Sequence, residues 1–171
     1  AGFNSRQPDQ ASQNLRSRNK KFMHQKIQVL DQQIISYAKK AHPFFARAVL
    51  FVVYFWFGIL KILSVSPANP LVMQLQEKTL PFLTFHQFII FFSLYEMLIG
   101  ILFLFSKFDR ITIILFVLHM VTTFMPLVFL PQVAWQGMFT PTLEGQYIIK
   151  NLVLIALVMN IGANLQPWRK D

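Results

Sequence analysis

Four apolar runs, each long enough to cross a lipid bilayer, constrain this chain more than any other feature. They occupy residues 44–64, 83–106, 111–130 and 145–165. A helix needs about 20 mostly apolar residues to span the hydrocarbon core, and each run meets that length. Phe, Leu, Ile and Val fill the runs without strict alternation, which points to helices rather than barrel strands. Open strands would leave their backbone polar groups unsatisfied in lipid. Pro43, Pro67, Pro70, Lys107, Pro131 and Pro167 punctuate the runs and set their expected limits. Only 13% of the 171 residues are charged and 54% are hydrophobic, whereas an ordinary soluble domain carries about 25% charged residues. So few charges cannot cover a water-facing surface. Composition therefore argues against a soluble enzyme, a nucleic-acid-binding domain and a disordered chain. The expected fold is all-α: a four-transmembrane-helix bundle preceded by a cytoplasmic amphipathic helix and a polar N-terminal tail.

The distribution of basic residues sets an expected orientation. Arg6, Arg16, Arg18, Lys20, Lys21, Lys26, Lys39 and Lys40 precede the first run. Lys107 and Arg110 lie between the second and third, and Arg169 and Lys170 follow the fourth. The connections 65–82 and 131–144 offer Lys78 alone. The positive-inside rule then places both termini and the middle connection in the cytoplasm. The net charge of +9 suits this rule and anionic lipid headgroups, so the bilayer, not nucleic acid, is the expected partner. The start of the sequence shows no apolar signal-peptide core, and the first run is expected to act as its own uncleaved insertion signal. The absence of cysteine excludes disulfides, thiolate metal sites and cysteine nucleophiles.

Four regions follow: a polar basic tail over 1–21, an amphipathic juxtamembrane helix over 22–42, the transmembrane domain over 43–166, and a cytoplasmic C-terminus over 167–171. Residues 1–20 are rich in Gln, Asn, Ser, Arg and Asp and are expected to be disordered by themselves. Met23, Ile27, Leu30, Ile34, Tyr37 and Ala41 are spaced 4-3-4-3-4 and form one helical stripe. Such a stripe suits an interfacial helix on the cytoplasmic leaflet or a partner-docking coiled-coil seam.

Ionisable residues inside spans are costly and usually face a bundle interior or an aqueous cavity. Here they fall on helical stripes of polar and small residues. Arg47, Tyr54, Gly58 and Lys61 share one stripe; His86, Ser93, Glu96 and Gly100 another; Thr112, His119, Thr122 and Pro126 a third. In the fourth run Gln146 with Lys150 and Asn160 with Asn164 form a stripe interrupted by Leu157. At 1.5 Å per residue Glu96 lies about 16 Å from Lys107 and His119 about 13 Å from Arg110, both near mid-membrane. Two clusters are expected. The inner one is an intramembrane pair of Arg47 with Glu96, joined by His119. The outer one gathers Lys61, His86, Glu144 and Lys150 around a vestibule for the polar head of a ligand, with Thr140 capping and Pro141 opening the fourth helix. Both clusters have a purely structural reading, as interhelical hydrogen bonds or a loop clamp. His86 and His119 lie at different depths and are poorly placed as haem ligands, and no metal site or catalytic residue is expected. Trp135, Trp168 and Tyr147 suit interfacial belts, and Trp56 is expected to pack deep in the first span.

The motifs that carry a family resemblance are Arg47 with Gly58-x-x-Lys61, Glu96-x-x-x-Gly100 followed by Lys107 and Arg110, and Gly145-Gln146-x-x-x-Lys150-Asn151. Over about residues 43–165 the chain resembles the DoxX-like membrane proteins. The resemblance implies a four-helix transmembrane bundle in the bacterial inner membrane. It also implies association with membrane oxidoreductase complexes and quinone-linked sulfur chemistry. Distant relatives look like eukaryotic cargo receptors and receptor-assembly chaperones. No intrinsic cofactor is expected, and quinone or lipid is the implied ligand. The sequence carries no flavin, Fe–S or c-haem motif, so a redox role requires other membrane subunits. The basic N-terminal extension departs from the compact family pattern and favours a non-catalytic accessory subunit. A free-standing membrane ligand-binding protein and a membrane chaperone or scaffold are the alternatives.

Overall fold

The computed structural model of the chain describes residues 7–166, with side chains from residue 13 onward. The C-terminal segment 167–171, with Trp168, Arg169 and Lys170, and residues 1–6 lie outside the described residues. The chain divides into two compact units, Ala1–Phe44 and Phe45–Asp171.

The elements run α1 (Gln7–Ile62), α2 (Asn69–Thr79), α3 (Phe85–Phe103), a 3-10 turn (Ser106–Phe108), α4 (Asp109–Phe124), α5 (Pro126–Phe129) and α6 (Pro131–Ala134), then β1 (Trp135–Gly137), β2 (Thr140–Pro141) and α7 (Leu143–Ala163). Four helical stretches are long and apolar enough to cross a membrane: Gln13–Ile62, Phe85–Phe103, Ser106–Phe129 and Leu143–Ala163. The last three agree with the sequence reading to within a few residues.

The first unit departs from that reading. Residues from Gln7 onward are helical rather than irregular, and the helix does not stop at Pro43. A polar composition limits burial, and this segment buries nothing: its described side chains are exposed. Helix formation needs only local propensity. No Gly or Pro falls between residues 9 and 42, and Gln, Arg, Lys, Leu and Ala are good helix formers. Pro43 removes one backbone donor without ending the helix.

In the second unit, Ala46, Leu50, Tyr54, Gly58 and Lys61 recur every three or four residues along α1, and all are buried. Ile89, Ser93, Glu96, Ile99, Gly100 and Phe103 do the same on α3. Leu50, Tyr54, Ile99, Phe103, Phe116, Met120, Val158 and Ile161 form the apolar core. Helix association in lipid gains nothing from removing apolar surface from water and depends on close packing and hydrogen bonds. Gly58 and Gly100 permit that packing. A Cβ at Gly58 would stand 2.6 Å from Met97 Cγ and 2.9 Å from the Ser93 carbonyl oxygen. At Gly100 it would stand 3.0 Å from the Phe55 nitrogen and 3.1 Å from Tyr54 Cβ. Trp56, expected to pack inward, is exposed instead. It sits two residues beyond Tyr54, about 200° round the helix from the packed face.

The connections carry structure that the proline-based reading missed. Pro70 lies in the first turn of α2, where its missing N–H is harmless. Gln76 is buried and donates to the Leu80 and Leu83 carbonyls, each at 2.8 Å. The antiparallel pair β1–β2 precedes α7. Thr140 and Pro141 therefore form a strand, and Thr142 is the N-cap, accepting from the Gly145 N–H at 3.1 Å.

Candidate functional site

The buried polar residues of the second unit form two separate sets. The first joins Arg47 on α1 to Asp109, the first residue of α4. Arg47 donates through Nη1 and Nη2 to the two Asp109 carboxylate oxygens, each at 2.6 Å, and Nη1 also donates to the Phe103 carbonyl at 3.0 Å. Phe103 is the last residue of α3, whose terminal carbonyls lack intrahelical donors. One planar guanidinium thus ties the body of α1 to the end of α3 and the start of α4, using the two-pronged geometry that arginine and carboxylate share.

The second set lies deeper. Lys61 donates to Glu96 Oε2 at 2.6 Å, and His119 Nε2 meets Glu96 Oε1 at 2.9 Å. His119 Nδ1 lies 3.2 Å from the Thr123 hydroxyl, which also donates to the His119 carbonyl at 3.0 Å. Lys61, Glu96 and His119 are each no more than 6% exposed. Counted from the start of α3, Glu96 is about 16 Å along the helix. Aromatic rings enclose the cluster. Phe92 stacks on the His119 ring at 5.2 Å, Tyr54 meets it edge-on at 5.2 Å, and the Lys61 ammonium lies 5.7 Å from the Phe92 centroid. The Tyr95 hydroxyl donates to the Leu115 carbonyl at 2.7 Å. The Tyr54 hydroxyl is buried and has no hydrogen-bond partner among the described residues.

The expected pairing of Arg47 with Glu96 is therefore corrected. Glu96 keeps His119 but takes Lys61 as its cation, while Arg47 takes Asp109. The reason is the relative height of the two helices: Gly58 packs against Ser93 and Met97, which sets Glu96 at its level, about one turn from Lys61 and about 16 Å along α1 from Arg47. The lean of helical side chains toward the N-terminus of their own helix then brings Lys61 back toward Glu96. Asp109 escaped the sequence reading because it stands between Lys107 and Arg110, in a stretch read only for its basic charge.

The expected vestibule of Lys61, His86, Glu144 and Lys150 is not formed. Lys61 is turned into the unit, whereas His86, Glu144 and Lys150 are exposed. The Lys150 ammonium lies 4.9 Å from the Tyr147 ring centroid, and none of the three is ion-paired with Lys61 among the described residues. On α7 the buried positions are Gly145, Ile148, Val158 and Ile161. Gln146, Lys150, Asn160 and Asn164 are exposed, so the polar stripe of the fourth run faces outward. Polar residues near the end of a span can reach the interface along the helix surface, and so do not report which face is packed.

No family model matches the chain, and no curated protein or solved structure matches it significantly.

Proposed function

We propose that this chain is a DoxX-like multi-pass protein of the bacterial inner membrane, with both termini and the 22–42 helix in the cytoplasm. It serves as a non-catalytic integral subunit of a larger, quinone-linked oxidoreductase assembly. The observation that carries this reading is the Lys61–Glu96–His119 cluster with the unpartnered Tyr54 hydroxyl beside the His119 ring. Charged groups at mid-membrane are expensive and mark functional sites, and a buried hydroxyl without a partner is a donor in want of an acceptor. A quinone head offers a carbonyl acceptor to Tyr54 and a flat ring to the aromatic side chains around it. Redox centres would come from partner subunits.

Extraction of the full chain in mild detergent tests the proposal. The expected result is stoichiometric partner proteins and quinone in the lipid extract. Tyr54→Phe should lower the quinone content several-fold while leaving the partners bound. Quinone retained without partners would instead identify a free-standing binding protein.

A scaffold or chaperone without a small ligand is favoured by one specific observation: both Glu96 oxygens are already engaged within the chain. On that reading Tyr54→Phe changes nothing in the extract, and Glu96→Gln lowers the yield of partners.

A further inference from the structure

In the first unit, Met23, Ile27, Leu30, Ile34, Tyr37 and Phe44 are between 56 and 77% exposed among the described residues. We infer that residues 23–44 pair with the same segment of a second copy as a parallel two-stranded coiled coil.

The register follows from the spacing. With Ile27 and Ile34 at a, positions d are Met23, Leu30, Tyr37 and Phe44. Ile27 and Ile34 at a flank Leu30 at d, the β-branched and leucine pattern that favours two parallel strands, and Ala41 takes the next a position. The charges agree with that register. Lys26 falls at g and Asp31 at the following e, the two positions that face each other across a parallel dimer. Each dimer would thus hold two symmetric Lys26–Asp31 pairs. Within a single chain Lys26 rests its ammonium 4.6 Å from the Phe22 ring centroid, and Asp31 makes no ion pair among the described residues. The seam opens where Arg16 and Lys20 occupy the preceding d and a positions, since paired charges there would repel.

An anionic bilayer surface fits less well. The stretch 27–38 contains no Lys or Arg, and its one charged residue is Asp31, which headgroups would repel. The seam is shorter than four heptads and would be weak for free peptides. Copies held in one bilayer meet at high effective concentration, which offsets that weakness. The inference is independent of what occupies the Lys61–Glu96–His119 cluster.

The chain has no cysteine, so single-cysteine variants of the full protein can be oxidised in native membranes without background. Leu30→Cys, at d, should yield disulfide-linked dimer, and Gln32→Cys, at the outward f position, should yield several-fold less. Added to Leu30→Cys, Lys26→Glu and Asp31→Lys should each lower the dimer yield several-fold, and the double exchange should restore it. On a lipid surface the two charge changes would act in opposite directions on helix protection by anionic vesicles, and no dimer would form. That outcome would overturn the inference. So would equal cross-linking at residues 30 and 32, or a different protein cross-linked at residue 30.

Discussion

Arg47 and Lys61 are fourteen residues apart on one helix and find different carboxylates. Removing one member of a buried ion pair leaves the other charge unsatisfied. Arg47→Met and Asp109→Asn should therefore each destabilise the protein by about 1–3 kcal/mol. The value stays below that of a fully buried pair because the Arg47 side chain keeps 19% exposure. The double variant should lose less than the sum of the two, and the same cycle between Lys61 and Glu96 should show coupling of about 0.5–3 kcal/mol. Arg47 with Glu96 should be additive to within about 0.5 kcal/mol. Unfolding of the detergent-solubilised variants measures all three cycles, and coupling between Arg47 and Glu96 would contradict the assigned partners.

Helix α1 approaches α3 through two glycines, one on each helix. An alanine at either position adds a Cβ within about 3 Å of a neighbouring backbone atom. Met97 can swing away from Gly58, but the Ser93 carbonyl and the Phe55 nitrogen are backbone atoms held by their own helices. Gly58→Ala and Gly100→Ala should thus each cost about 1–3 kcal/mol by forcing the helices apart. The same separation would lengthen the Lys61–Glu96 contact, so thermal unfolding in detergent should show both variants less stable than wild type. A methyl group accommodated without loss at Gly100 would refute the close crossing.

For the molecule as a whole, the proposed orientation rests on the Lys/Arg asymmetry. In cells, Gln10→Cys should be shielded from an impermeant thiol reagent, and Gln136→Cys, at the exposed β1 strand, should react. Equal labelling of the two would rule out the odd number of crossings, three, that the assigned sides require between them. Phe91, Val117, Val121, Val153 and Met159 are exposed, as lipid-facing positions of a spanning helix are expected to be.

Length and apolarity of a run are properties of sequence alone, so the four long helices and the helical period of each stripe are legible there. The inward faces of the first three runs are legible too: polar or small residues at mid-span, such as Ser93, Glu96 and His119, have no water to reach and must turn inside. At the ends of spans this logic lapses. His86, Gln146 and Lys150 can reach the interface from any face, and the tertiary structure leaves them outside. The expected pairing of Arg47 with Glu96 fails because partner choice depends on the relative height of the helices, which the sequence does not state. The two glycines at the α1–α3 contact fix that height, setting Gly58 beside Ser93 and Met97 and Gly100 beside Tyr54 and Phe55, so that Lys61 meets Glu96 and Arg47 reaches only Asp109. The unpartnered Tyr54 hydroxyl appears only once Phe103, Phe116 and His119 have closed around its ring.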